Sequence, residues 1–193
     1  MKNIIENFKL NPLEKANFVE TALATYTQNG VKKSWEVVKS HDSVAILIYH
    51  KKREAFILVK QFRAPVYQHN GIGMSTELCA GIIDKKLSIE QIAIEEIEEE
   101  CGFEVSLKKL ERITKVNSSV GTAGTSQTIF YAEVDESARV SSGGGIDDEM
   151  IEVIELPISK AKTFMFDESE VKTTGLMFAF MWWFDSFNYN QKI

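Results

Sequence analysis

AGIIDKKLSIEQIAIEEIEEECGF, residues 80–103, holds a loop, a helix and a helix stop in one stretch. Ser88 with Gln91 three residues on makes a capping box, so a helix starts there. Ile89, Ile92, Ala93 and Ile97 recur at i, i+3, i+4 and i+8 and give that helix an apolar side. Gly102 follows as a left-handed stop. Between cap and stop, Glu95, Glu96, Glu98, Glu99 and Glu100 crowd into six positions. Glu96 lies one turn from both Glu99 and Glu100, so these acids share a face. Exposed like charges at that spacing repel by roughly a few tenths of a kcal/mol per pair. The residues alone allow two readings. One is a solvated acidic face; the other is a set of hard oxygen donors for Mg²⁺ or Mn²⁺.

Upstream, SVAILIY (43–49) and AFILV (55–59) are near-continuous apolar runs and read as core strands of a sheet covered on both faces. Before them, TALATYT (21–27), the turn signal Gln28-Asn29-Gly30 and SWEVV (34–38) read as a hairpin. Trp35 is a hairpin packing residue or an aromatic lid, and packing is the favoured of the two. Pro65 ends the second core strand. Arg63, just before it, is an anion clamp or half of a structural ion pair. Residues 68–75 read as a loop, and TELC (76–79) as a short strand leading into Ala80-Gly81.

Downstream, residues 105–116 read as a strand or turn pair. NSSVGTAGTSQ (117–127) is a loop of small residues, either plain or able to bring backbone N–H groups to a ligand. TIFYAEV (128–134) is a strand. SSGGGIDD (141–148) is glycine-rich and acidic and reads as a mobile loop. It is no P-loop, because no Gly-Lys-Ser/Thr follows. MIEVIEL (150–156) is a last strand, stopped by Pro157. Residues 170–187 read as a helix, apolar nearly all round through Leu176, Phe178, Phe180, Trp182, Trp183 and Phe184, and hence core-facing or dimer-facing.

With 193 residues, 44% of them hydrophobic and 26% charged, the chain suits one soluble domain, with or without an N-terminal extension. A net charge of −6 argues against nucleic acid and anionic membranes as partners. Cys79 and Cys101 form no metal-type spacing and no disulfide framework. The first residues make a poor signal peptide, and the apolar run at 176–184 is too short to span a bilayer. A reducing cytoplasm is the expected location.

Counted from Gly81, the opening stretch resembles the Nudix box, G-x5-E-x7-R-E-U-x-E-E-x-G-U, where U is aliphatic or aromatic. Glu96, Ile97, Glu99, Glu100, Gly102 and Phe103 fall in their places. Leu87 stands where the first Glu belongs and Glu95 where the Arg belongs. In the family those two side chains are structural partners that tie the loop to the helix. The likeness extends to the UDP-sugar diphosphatase (UDP-glucose pyrophosphatase) and ADP-ribose pyrophosphatase branch of the Nudix hydrolases. It is carried by QNGVKKSW, SHDSVAIL, VKQFRAPVY, ELCAGIID, EECGF, TSQTIFYAEV, GGG followed by EMIEVIELP, and KTTGLMF, across residues 21–187.

The resemblance implies an α/β Nudix fold, a mixed β-sheet sandwiched between α-helices, with an N-terminal β-hairpin extension. It divides the chain into residues 1–42, exchanged or packed at a homodimer interface, and a hydrolase domain, residues 43–193. It implies Mg²⁺-dependent hydrolysis of a UDP-glucose-like nucleoside diphosphate sugar, Mn²⁺ serving as a substitute. ADP-ribose is the alternative substrate, and an inactive Nudix-fold binding module is the remoter reading. The implied metal ligands are the Ala80 carbonyl, Glu96, Glu99 and Glu100. The general base is Glu149 or Asp147 from the glycine-rich loop, or else Glu99 or Glu100. Trp35, Arg63, Gly121 and Ser126 are the implied substrate contacts.

Overall fold

The computed structural model describes residues 4–187. In chain order it forms β1 (Glu20–Gln28), β2 (Val31–Lys39), β3 (Ser43–His50), β4 (Ala55–Phe62), α1 (Ala64–Asn70), β5 (Met74–Glu77) and β6 (Cys79–Ile82). There follow α2 (Ile89–Cys101), β7 (Leu110–Asn117), β8 (Ser126–Val134), β9 (Glu152–Pro157), α3 (Ile158–Phe166) and α4 (Thr174–Ser186).

β1 and β2 form a separate antiparallel hairpin, paired from Glu20–Lys39 to Gln28–Val31. Its turn uses Asn29 and Gly30 at positive φ, the geometry that matches strand twist. The other strands make one mixed sheet in the order β5-β4-β3-β8-β7, with β6 on β3 and β9 on β4. β3 runs parallel to β8 and antiparallel to β4 and β6. β3 and β4 pair only between Ile48–Ile57 and His50–Ala55, and then splay apart. β6 takes the vacated edge of β3, Ser43–Ile82 to Ile46–Cys79. β5 takes that of β4, Val59–Glu77 to Phe62–Met74. The splay therefore delivers residues 77–81 to the acidic helix.

Strand alternation sorts the two apolar runs onto two faces. Val44, Ile46, Ile48, Ile57 and Val59 meet Ile92, Ala93, Ile97 and Cys101 of α2. Ala45, Leu47, Phe56 and Leu58 meet Ala161 and Met165 of α3 and Phe180 and Trp183 of α4. Each fully buried isoleucine on α2 contributes about 1.5–3 kcal/mol by leaving water. The α/β sandwich and the core-facing α4 agree with the sequence reading.

Several local assignments change. Residues 64–70, expected as strand end and loop, form α1, because Pro65 sits in the first turn where its missing N–H is not needed. The single strand expected at 76–79 is two strands parted at Leu78. Residues 158–166 carry no assigned signal, yet form α3 directly after Pro157, burying Ile158, Ala161 and Met165. α4 begins later than expected, at Thr174, capped by the Thr173 hydroxyl, which accepts from the Leu176 N–H. Trp35 lies on the hairpin opposite Ala24 and is 57% exposed.

Candidate active site

The capping box of α2 forms as expected, and Gly102 closes the helix at φ 75°. Its acids meet the Ala80-Gly81 backbone of β6. Glu100 is buried, and its Oε2 accepts from the Ala80 N–H at 2.9 Å. Glu96 lies across Gly81 so closely that a Cβ there would collide with the carboxylate. Burial, then the charge of Glu99, pushes Glu96 up to about 7. Burial also pushes Glu100 up to about 7, against the Ala80 hydrogen bond and with the charge of Glu96. Glu98 points to solvent. Glu96, Glu99 and Glu100 are thus crowded, partly desolvated hard donors whose ionised forms a cation would stabilise. Among the described residues no three Asp, Glu, His or Cys side chains close into a finished cage. The acids are hard oxygen donors, the kind a divalent ion takes.

The glycine-rich loop is fastened to the end of this helix. Gly144 donates to the Glu100 carbonyl at 2.8 Å and Gly145 to the Glu99 carbonyl at 3.0 Å. Val140 and Ser141 both donate to the Gly102 carbonyl, at 2.9 and 3.3 Å. These bonds satisfy carbonyls that a helix end leaves without partners. At Gly102 and Gly143 the two backbones approach too closely for a Cβ on either residue. Through Val140, Ser141, Gly144 and Gly145 the loop expected at 141–148 thus caps α2 at its first half, while residues 146–148 stay exposed. The cap brings in Glu149, whose charge helps raise both Glu96 and Glu100. Its Oε2 accepts from the Ile146 N–H at 3.1 Å. Asp147 sits exposed at φ 53° in the turn between them.

Arg63 holds Glu77 with both arms, Nε to Oε1 at 2.9 Å and Nη2 to Oε2 at 2.7 Å. Glu77 and the nearby charges of Glu100 and Glu149 keep the guanidinium protonated. Arg63 is thus an ion-pair partner at the edge of the acidic face. The sequence reading passed over Glu77, whose only signal is an acid two residues before Cys79; its pairing depends on the β4–β5 register.

The remaining expected contacts gather elsewhere. Trp35 Nε1 donates to the Gly121 carbonyl at 2.7 Å, and Val38 N–H to the Thr122 carbonyl at 3.0 Å. Ser126 is buried, its N–H bonded to Asp42 Oδ1 at 2.8 Å. Bonds from Ser126 hold the Asp42 carboxyl below its usual range. Ser43 is paired with both Ile82 and Gln127, so this cluster shares a sheet end with Gly81.

The chain is similar to known proteins over most of its length. A family profile described as NUDIX domain matches residues 39–174. The chain is 40% identical over 188 residues to uridine diphosphate glucose pyrophosphatase NUDT14 of Bos taurus, covering 82% of this chain and 85% of the relative. The Mus musculus protein of the same name is 38% identical over the same shares. GDP-mannose pyrophosphatase of Pectobacterium atrosepticum is 41% identical over 138 residues, 71% of this chain and 70% of that one.

Proposed function

The chain belongs to the Nudix family, and on that premise we propose that it hydrolyses the diphosphate bond of a UDP-glucose-like nucleoside diphosphate sugar. The products are a nucleoside monophosphate and a sugar 1-phosphate. The observation that carries this reading is the pair Glu96 and Glu100, held against Ala80-Gly81 with both carboxyls pushed up to about 7.

Glu96, Glu99, Glu100 and the Ala80 carbonyl are the groups that would hold Mg²⁺, or Mn²⁺ in its place. A bound divalent ion supplies charge neutralisation for the diphosphate and a lowered pKa for an attacking water. Glu149 is favoured as the residue that takes the water's proton, because the capped loop fixes it beside the acidic face. Glu99, Glu100 and Asp147 are the other acids within the proposed site. Arg63 contacts phosphate from its seat on Glu77, and Trp35, Gly121 and Ser126 line the nucleoside side.

Residues 1–42 form an extension and residues 43–193 the hydrolase domain in this proposal. The hairpin leaves Leu23, Tyr26, Val31 and Trp35 exposed. A two-stranded hairpin is marginal alone in water, which supports its packing on a second copy in a homodimer. No helix among the described residues is long and apolar enough to cross a membrane, and a cytoplasmic location is proposed.

The relatives' names favour both uridine and guanosine sugar nucleotides, so the base is a point for experiment. Steady-state hydrolysis of UDP-glucose, GDP-mannose and ADP-ribose with Mg²⁺ tests the proposal. The highest kcat/KM is expected for UDP-glucose. A clear preference for ADP-ribose replaces the substrate, and inactivity across the panel leaves a binding module.

A further inference from the structure

Leu87 and Glu95 cannot tie the loop to the helix as the box's Glu and Arg would. Glu95 nevertheless has a partner. Lys85 Nζ donates to Glu95 Oε2 at 2.9 Å, joining the loop after β6 to the side of α2. A base on the loop and an acid on the helix thus stand where the box has the reverse, and the loop residue lies two positions earlier. Lys85 also lies within electrostatic reach of Glu99 and Glu96. Glu95 directly precedes Glu96, so holding it fixes how that turn of helix faces Ala80-Gly81.

We propose that Lys85 is a positioning residue: anchored on Glu95, it sets Glu96 against the Gly81 backbone, with Glu99 one turn further along the helix, and replaces the tie that Leu87 and Glu95 lack. The proposal rests on the hydrolase reading above. Both side chains of the pair are about two-fifths exposed, and exposed pairs contribute little to stability. The effect therefore falls on cation binding and turnover.

The test is charge reversal. Lys85→Glu adds a negative charge beside Glu96 and Glu99, which by Coulomb's law alone tightens a divalent cation. Positioning demands the opposite sign. Calorimetric titration of the substrate-free chain with Mn²⁺ should show Kd raised about tenfold in Lys85→Glu, in line with other groups that orient metal ligands. For UDP-glucose with Mg²⁺, kcat should fall about 10–100-fold while KM moves by less than about twofold and Tm stays put. The double variant Lys85→Glu/Glu95→Lys restores a tie with the ordinary polarity and should bring Kd and kcat back to within about threefold of the parent. Tighter Mn²⁺ binding in Lys85→Glu, or a double variant as defective as the single, overturns the proposal. If the parent chain itself hydrolyses no sugar nucleotide, the hydrolase reading fails, while the Mn²⁺ titrations still decide the pair.

Discussion

Residues 140–151 and the β1–β2 hairpin both leave the body of the molecule, and they are held in opposite ways. The loop has almost no regular structure, yet four backbone N–H groups within it bond to the carbonyls of Glu99, Glu100 and Gly102. The hairpin is regular along its whole length and reaches the body through Trp35 and Val38. Regularity is a property of the local backbone; anchorage depends on what unsatisfied groups lie opposite. The loop meets a helix end that needs donors. The hairpin satisfies its own backbone and turns apolar side chains outward.

Four experiments can break or sharpen that contrast. The largest effect is expected where the loop's anchor meets the acids. Glu100→Gln keeps an acceptor for the Ala80 N–H but loses the charge, and should lower Mg²⁺-dependent kcat on the order of a thousandfold, about 4 kcal/mol of barrier. Circular dichroism should stay unchanged, and a variant within tenfold of the parent sinks the assignment. Gly143→Ala drives a Cβ into the Glu100 carbonyl at a residue with φ 65°. It should cost about 1–3 kcal/mol in urea unfolding and reduce kcat about tenfold by displacing Glu149. Unchanged stability would mean that the loop is as loosely held as the hairpin.

The third experiment is pH-dependent. Glu96 and Glu100 are raised from 4.5 to about 7 in the folded chain. Without a divalent ion, their contribution to stability is full below about 4.5, the value when unfolded, and is lost as pH rises through about 7. A cation binds the ionised forms and so reverses the trend. The rise in Tm on adding Mg²⁺ should be small at acid pH, grow up to about pH 7 and level off above it. A Mg²⁺ shift independent of pH would dissociate these acids from the metal. The smallest effect on the chain itself belongs to Trp35→Ala, which should change unfolding free energy by less than about 0.5 kcal/mol. Sedimentation should instead show weaker self-association. A large loss of monomer stability would show the hairpin to be firmly attached.

What was legible beforehand follows the range of the interactions. Ser88, Gln91 and Gly102 announced α2 because caps act within one turn. The apolar runs announced β3 and β4 because burial on both faces demands continuous apolar sequence. α1 was hidden because Pro65 can either stop a strand or start a helix, and only the chain beyond decides. The capping role of Gly144 and Gly145 was hidden because glycines announce a close approach without naming what they approach. The pairs Lys85–Glu95 and Arg63–Glu77 were hidden because each joins separate elements across 10 and 14 residues.

By itself, the sequence determined where the acidic helix begins and ends, which of its sides is apolar, and which acids fall in the family's register. Periodicity and capping are short-range, and local order is enough to express them. Only the tertiary structure decided that Glu100 would be buried against Ala80, 20 residues away, and that Glu149 would join it on a loop fastened to the same helix. Desolvation and charge crowding depend on neighbours brought from distant parts of the chain, and no stretch of sequence contains them.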